Sequence, residues 1–376
     1  MANTLTSLIP DVYAALDVVS RELVGAIPGV SRDARADRLA LNQTLRSTVA
    51  PANTTATFTP GMAVPAAVDQ TIGKKDLTLT KNKYAAFSWT GEEEYAMEQG
   101  PGFLTVQQDQ IAQAFRVLVN EMEADVCTAL YQGASRATGT TGTTPFASTL
   151  GDSAQVRKIL DDNGAPTSGR SLVIDTSAGA ALRTLGQLTK ANEAGTAMTL
   201  RDGELLNLHG FSVRESAQIQ RPTVGTGASF VLNGSHAVGA TSITVKTGTG
   251  TLVAGDVITI NSKYYVVETG RSGVGAFTIA APGLRDAGAD GNTVTVLATG
   301  ARNIGFSSNA LVLGTRLPIF PRQGDLAIDN EIITDPRTGI SFDLRVYPGD
   351  GMVLYRIHAL WGWSVVKPEH IAVLLG

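Results

Sequence analysis

Apolar residues recur at three- and four-residue spacing in two long stretches of the chain, and this spacing predicts helices. The first stretch begins near the start of the chain and ends near residues 25 to 28. The second runs from Phe103 to Gln132 and is followed by Gly133, a helix stop signal. A helix of roughly 25 residues in this stretch would span nearly 40 Å, at about 1.5 Å per residue. We therefore expect a spine helix that places Phe115 and Leu118 in the core.

The chain between these two helices lacks a helical period. Residues 31–51 mix arginines with few large apolar side chains, which predicts an extended arm that reaches another subunit. Residues 51–90 contain several prolines and glycines and end in the alternating run "LTLTKNKYAAFSWT", which is typical of strands. We expect a long β-hairpin over 51–90. The "GEEEYAMEQGP" that follows predicts a short helix whose three glutamates point in different directions, as a solvated or salt-bridged face rather than a metal site.

The second half of the chain has three different patterns. Residues 152–220 alternate helical and strand segments, which predicts one compact α/β unit. Between about 223 and 300 there are six short strand-like runs separated by turn signals, which predict a small barrel or a sandwich. Apolar strands return beyond Arg302. The β unit is therefore expected to be an insertion in a larger fold.

The closing segment "LYRIHALWGWSVVKPEHIAVLLG" allows two interpretations. If it were an active site, His358, Glu369 and His370 would act beside a tryptophan-lined pocket. If it is architecture, the strand period places Trp361 and Trp363 on one face as a packed pair behind the spine helix. A turn at Pro368 would then lead into a last apolar strand, and the histidines would have no chemical role.

Composition changes this picture in a few respects. Charged residues make up 17% of the chain, against roughly 25% in typical domains, and such depletion suits a subunit that covers much of its surface with neighbours. A glycine-rich monomeric β protein accounts for the composition equally well. The net charge of −4 gives the chain as a whole no attraction to nucleic acid. A single cysteine excludes an internal disulfide, and neither a membrane span nor a secretory signal is expected.

Motifs that carry chemistry are incomplete in this chain. "TIGKKD" lacks the earlier glycine and the hydroxyl residue of a P-loop, and the glycine-rich stretches lie between strands rather than before a helix. No Gly-x-Ser-x-Gly or HExxH pattern occurs. We therefore predict no catalytic, cofactor-binding or metal-binding residues, and no cofactor.

The order of elements resembles the major capsid protein of tailed double-stranded DNA bacteriophages, with the Hong Kong 97-type capsid fold. Within that family it is similar to the podovirus coat branch that carries an inserted β-barrel domain. The local marks are the closing "YRIHALWGWSVVKPEHIAVLLG" and the position of the insertion after "RESAQI". The resemblance extends over nearly the whole chain.

This resemblance implies an α+β fold with an N-terminal arm, an extended hairpin loop, a spine helix, an axial α/β domain and an inserted small β-barrel. The implied segments are the arm (1–50), the extended loop (51–90), the peripheral domain (91–150), the axial domain (151–222), the barrel (223–300) and the closing strands (301–376).

It also implies a structural, non-enzymatic role. The subunit would self-assemble through hexamers and pentamers into an icosahedral shell around phage DNA, without sequence-specific contacts. A separate scaffolding protein and a portal protein would be partners, and assembly would take place in the host cytoplasm. The candidate interface residues are Arg32, Arg35, Arg38, Phe58, Val64, Leu77 and Leu79.

Two alternatives remain open at this point. One is an encapsulin-type compartment shell that holds a protein cargo. The other is a hydrolase with an accessory β-domain, centred on the closing histidines.

Overall fold

The fold was analysed in a computed structural model. It describes residues 25–49, 60, 73–98, 103–189, 205, 207–322, 324–335 and 338–376. The predicted N-terminal helix, the middle of the predicted hairpin, and the candidate residues Phe58 and Val64 lie outside the described residues.

Helices are few among the described residues, and one of them dominates. The predicted spine helix is confirmed over Phe103–Gln132, a length of 30 residues. The described α-helices are α1 (Gly91–Glu98), α2 (Phe103–Gln132), α3 (Gly151–Asp162), α4 (Thr176–Thr184) and α5 (Gly186–Thr189). Short 3₁₀ turns lie at Ile27–Gly29 and Pro368–His370.

Strands make up most of the remaining fold. The strands before the predicted insertion are β1 (Ser31–Leu39), β2 (Thr44–Val49), β3 (Gly73–Thr78), β4 (Lys81–Thr90), β5 (Arg136–Gly139), β6 (Arg170–Ile174) and β7 (Ser212–Glu215). Those within it are β8 (Phe230–Leu232), β9 (Ser242–Lys246), β10 (Thr251–Leu252), β11 (Val257–Ile260), β12 (Lys263–Thr269), β13 (Arg271–Ser272), β14 (Gly275–Ile279) and β15 (Thr293–Val296). Those after it are β16 (Arg302–Ser307), β17 (Leu311–Pro318), β18 (Asp329–Thr334), β19 (Ser341–Pro348), β20 (Met352–Val365) and β21 (Ile371–Leu375).

The first sheet is built around the 14-residue strand β20. Its strand order is β1-β17-β20-β19-β18, and β4 pairs with β20 along residues 352–361. All these pairs are antiparallel except β1 with β17, which is parallel. Strand β1 therefore adds an arm segment from the start of the chain to a sheet made mostly from its last quarter.

The second sheet carries the α/β unit. Strands β5, β21, β16, β6 and β7 follow one another in it, and β6 lies between an antiparallel and a parallel neighbour. Strand β6 is buried along its whole length, as expected for a strand covered on both faces. Helices α3 and α4 and this sheet enclose a separate core that includes Val156, Leu172 and Phe211.

Six strands of residues 230–296 pair in a closed ring. The order of pairing is β11-β15-β8-β9-β14-β12 and back to β11, and every pair is antiparallel. Closure leaves the ring without a free strand edge. Its interior is a third core, which includes Phe230, Tyr265 and Phe277. We call this unit the ring.

The ring joins the second sheet at two places. Strand β12 pairs with β5 at Tyr265 and Arg136. The chain enters after β7 and leaves into β16, where the N–H of Arg302 donates to the carbonyl oxygen of Gln220 at 3.1 Å. The entry and exit of the ring are therefore one hydrogen bond apart.

The hairpin differs from the prediction in its boundaries. Its two strands are β2 and β3, which pair from Thr44 with Thr78 to Val49 with Gly73, so the first strand precedes residue 51. Strand β4 belongs to the first sheet instead. The base of the hairpin crosses β20 at Gly362, where an added Cβ would lie 2.1 Å from the carbonyl oxygen of Thr78. A glycine is required there because the two backbones are in contact.

Candidate assembly surfaces

Arg38, an interface candidate, is held within its own chain. Its guanidinium donates two hydrogen bonds to the buried carboxylate of Asp343, at 2.8 and 2.9 Å, and a third to the carbonyl oxygen of Pro318. Arg345 donates to the same carboxylate at 2.7 Å and to Asp325 at 3.1 Å. Both guanidinium carbons lie over the ring of Phe320, at 3.9 and 4.3 Å from its centroid. We call Arg38, Arg345, Asp343, Asp325 and Phe320 the arginine clasp.

The arginine clasp gives Arg38 a role within its own chain, and its contact with a neighbouring subunit stays a prediction. A bidentate pair with a buried carboxylate fixes the guanidinium in geometry as well as in charge, so this side chain secures β1 to the first sheet. Arg32 and Arg35 are exposed on the same strand. Arg35 pairs with Asp33 at 3.3 Å and is 68% exposed. Among the arginines of β1, these two are the ones that the structure leaves exposed.

Leu77 and Leu79 are also placed differently from the prediction. They are 6% and 0% exposed and form a small core with Leu360 of β20. Side chains two residues apart point to the same side of an extended segment, and here that side faces the chain's own sheet. The expectation that they contact a neighbouring subunit is therefore corrected to a packing role at the base of the hairpin.

The spine helix is tied to the first sheet by charge and by packing. Lys81 of β4 donates to Asp125 and Glu121 of α2, at 2.8 and 3.2 Å. The indole N–H of the fully buried Trp361 donates to the other oxygen of Asp125 at 2.9 Å. Phe115 is buried on the same helix and packs edge-on against Phe342, and Leu118 is buried in the same core.

The start of the described chain is anchored by a buried carboxylate that the sequence did not single out. Glu123 of α2 accepts hydrogen bonds from the backbone N–H groups of Gly25, Ala26 and Ile27, at 2.8, 2.6 and 2.9 Å. Burial raises the pKa of this carboxyl, and the N–H groups oppose the shift. The sequence could have indicated this buried carboxylate, because a glutamate stands in the otherwise apolar stripe of α2. The neighbouring residues could not show which backbone N–H groups it would bind.

The two closing histidines contact different partners. Trp363 is partly buried against the main core, and the His358 ring contacts Tyr84 with centroids 5.4 Å apart. Burial lowers the pKa of His358 from 6.5 to about 4. The ring of His370 interacts instead with Asn309 at 3.1 Å. Among the described residues, no group of three or more metal-ligating side chains occurs.

Arg302 is the least satisfied buried group in the described part of the chain. It is fully buried, and none of its three guanidinium nitrogens has a hydrogen-bond partner there. Burial lowers its pKa, while the charge of Asp256 opposes the shift. Asp256 itself accepts from the N–H groups of Gly225 and Val253. The arginine therefore lies at the exit of the ring with a distant counter-charge.

Large apolar side chains are exposed along residues 319–332, from the end of β17 into β18. Leu326 is 85% exposed, and three other large apolar residues, Ile319, Ile328 and Ile332, are exposed in the same stretch of the chain. We call these four residues the apolar strip. Exposed large apolar side chains mark contact surfaces where they form a contiguous patch. Among the described residues, no helix is both long and apolar enough to cross a membrane.

Several solved structures are similar to this chain in fold. Neither a protein-family model nor a curated protein sequence matches the chain. Among solved structures, the capsid of the cyanophage P-SCSP1u has a TM-score of 0.50 and 11% identity, over 92% of this chain and 86% of that chain. A chain of Mycobacterium phage Che8 has a TM-score of 0.47 and 16% identity, over 90% and 88%. A virus-like particle from Pyrococcus furiosus has a TM-score of 0.43 and 10% identity, over 96% of both chains. The sheet-rich fold of this chain is that of a phage capsid protein, as its order of elements predicted.

Proposed function

We propose that this chain is the major capsid protein of a tailed bacteriophage and assembles into an icosahedral shell around double-stranded DNA. The observation that carries the proposal is the fold shared with the cyanophage capsid over nine-tenths of the chain. The role is structural and non-enzymatic. Assembly would proceed through hexamers and pentamers in the host cytoplasm, with a scaffolding protein and a portal protein as partners.

The proposal includes the finer features of the Hong Kong 97-type fold. The chain before the hairpin would be the arm, the hairpin that begins with β2 and ends with β3 would be the extended loop, and residues 91–150 and 151–222 would be the peripheral and axial domains. The ring supports assignment of residues 223–300 as the inserted barrel of the podovirus-like branch, because it has its own core and adjacent entry and exit points. Residues 301–376 would supply the closing strands.

The exposed surfaces give assembly its contacts. The apolar strip offers area that a neighbouring subunit would bury, at roughly 25 cal/mol per Å² of apolar surface. Arg32 and Arg35 offer charge on the opposite edge of the first sheet. Phe58 and Val64 stay candidates for the extended loop.

Electron microscopy of the purified protein tests the proposal, with the chain expressed alone and with a scaffolding partner. Closed shells are expected. Leu326→Asp should reduce the yield of shells by at least tenfold without unfolding the subunit, because it places a charge in the apolar strip. Val274→Asp, at an exposed apolar position of the ring, is the matched control.

Two outcomes would contradict the proposal. Small monodisperse monomers under every condition would exclude a shell protein. Shells that enclose a protein cargo and no DNA would identify a compartment instead of a virion.

A further inference from the structure

A cleft of about 560 Å³ lies where the ring meets the second sheet. Four cationic side chains from four elements line it: Arg136 on β5, Lys158 on α3, Lys263 on β12, and Arg285 in the loop between β14 and β15. Among the described residues of the lining, Asp162 is the only carboxylate, and it pairs with Arg285 at 3.1 Å. Four cations and one carboxylate leave a net charge of +3, in a chain whose net charge is −4.

Arg136 carries a buried donor in this cleft that lacks an acceptor. Its Nε atom is buried and has no hydrogen-bond partner in the described part of the chain. Burial lowers the pKa of its guanidinium, and the positive charge of Arg285 lowers it further, while the charges of Asp162 and Asp286 oppose the shift. Two cations that oppose each other in a partly desolvated cleft are stabilised by an anion placed between them.

The other side chains of the lining indicate which anion suits the cleft. Hydroxyl groups of Thr140 and Ser262 and the amide of Gln155 accompany the four cations. Arginine, lysine, hydroxyl and amide groups are the side chains that contact phosphate oxygens in protein–DNA complexes. An acidic peptide would also need apolar anchors, and the lining offers few large apolar side chains beyond Ile159 and Tyr264.

We propose that this cleft binds phosphate groups of a nucleic acid backbone. The inference rests on the proposed function, since a shell that encloses DNA supplies that ligand at high concentration. With Tyr264 as its single aromatic residue, the described lining has no platform for stacking successive bases. Binding is therefore independent of base sequence. The positive charge is confined to the cleft, so the net charge of the whole chain does not indicate it.

The double variant Lys158→Gln/Lys263→Gln tests the proposal on unassembled subunits. Both lysines are exposed, so the substitutions remove charge without disturbing a core. The probe is a fluorescent DNA duplex of about two helical turns, measured by anisotropy between about 50 and 200 mM salt. Removal of two phosphate contacts should lower the salt slope by about 1.8 and the affinity at low salt by about tenfold. Lys246→Gln, on the ring but outside the cleft, is the control and should change neither; this lysine is half-buried and pairs with Asp290.

Several results would overturn the proposal. Equal loss of affinity in Lys246→Gln would show general attraction rather than a site. Tighter binding of polyglutamate than of the duplex would assign the cleft to an acidic protein segment. Binding of inorganic phosphate without the duplex would assign it to a free anion. Shell formation is scored separately by microscopy: shells from a protein that fails the DNA test overturn this inference alone, and DNA binding without shells overturns the proposed function.

Discussion

Two regions of the molecule bury arginines in opposite ways. In the arginine clasp, Arg38 and Arg345 share the carboxylate of Asp343 and lie over one aromatic ring. At the exit of the ring, Arg302 is more deeply buried and has no hydrogen-bond partner among the described residues. A buried cation is tolerated where oxygen atoms surround it and is costly where they do not. The clasp therefore adds stability to the first sheet, whereas Arg302 subtracts stability from the subunit alone.

The largest expected effect follows removal of the shared carboxylate. Asp343→Ala leaves two buried guanidinium groups without their counter-charge, which should lower the free energy of unfolding by about 3–5 kcal/mol. Urea unfolding of unassembled subunits measures this loss. Asp76→Ala breaks the exposed pair with Arg46 and should leave the urea midpoint unchanged. Equal, small changes in both variants would show that the clasp contributes nothing to stability.

Replacing Arg302, at the exit of the ring, is not expected to destabilise the protein. Arg302→Met replaces an unpaired buried cation with an apolar side chain of similar length, which should leave the free energy of unfolding unchanged or raise it by up to about 4 kcal/mol. Arg345→Met is the matched substitution in the clasp and should destabilise the subunit. A loss of stability for Arg302→Met comparable to that of Arg345→Met would contradict the comparison.

The smallest expected effect is a pH dependence of stability that comes from His358, a neighbour of the arginine clasp. His358 on β20 lies opposite Asp343 in the register of β19. Its buried Nε2 has no hydrogen-bond partner in the described part of the chain. Burial lowers its pKa to about 4 in the folded state, while the unfolded chain titrates near the usual value of about 6.5. Between these two values the unfolded state binds more protons, so stability falls as the pH falls.

His358→Gln should therefore flatten the pH dependence of the urea midpoint between about pH 6.5 and 4. His236→Gln, in the ring, is the control and should keep the slope of the unmodified protein. An unchanged slope in His358→Gln would mean that other groups set the acid sensitivity.

The sequence was most informative where a pattern depends on neighbouring residues. The spacing of apolar residues on α2 gave both ends of the spine helix, and the last apolar strand, Ile371–Leu375, follows a turn as expected. Short alternating runs also marked the strands that form the ring. For α2 and for the alternating runs, local periodicity distinguishes helix from strand.

The sequence was least informative where the partner lies far along the chain. Arg38 and Asp343 are separated by 305 residues, so nothing near Arg38 indicated that it would be occupied within its own subunit. The alternation at Leu77 and Leu79 identified an apolar face, but it could not show that Leu360 would cover it. The sequence could not predict the cationic cleft, because its four cations come from four separate elements.

The hydrogen bond that joins Arg302 to Gln220 has a consequence for evolution and for engineering. Because the chain leaves the second sheet and returns to it at one point, the ring can be gained, lost or exchanged as a cassette without altering the path of the strands on either side. A lineage can therefore diversify this module while the two sheets on either side of it stay constant. The same junction is the natural position at which to graft a foreign domain onto this fold.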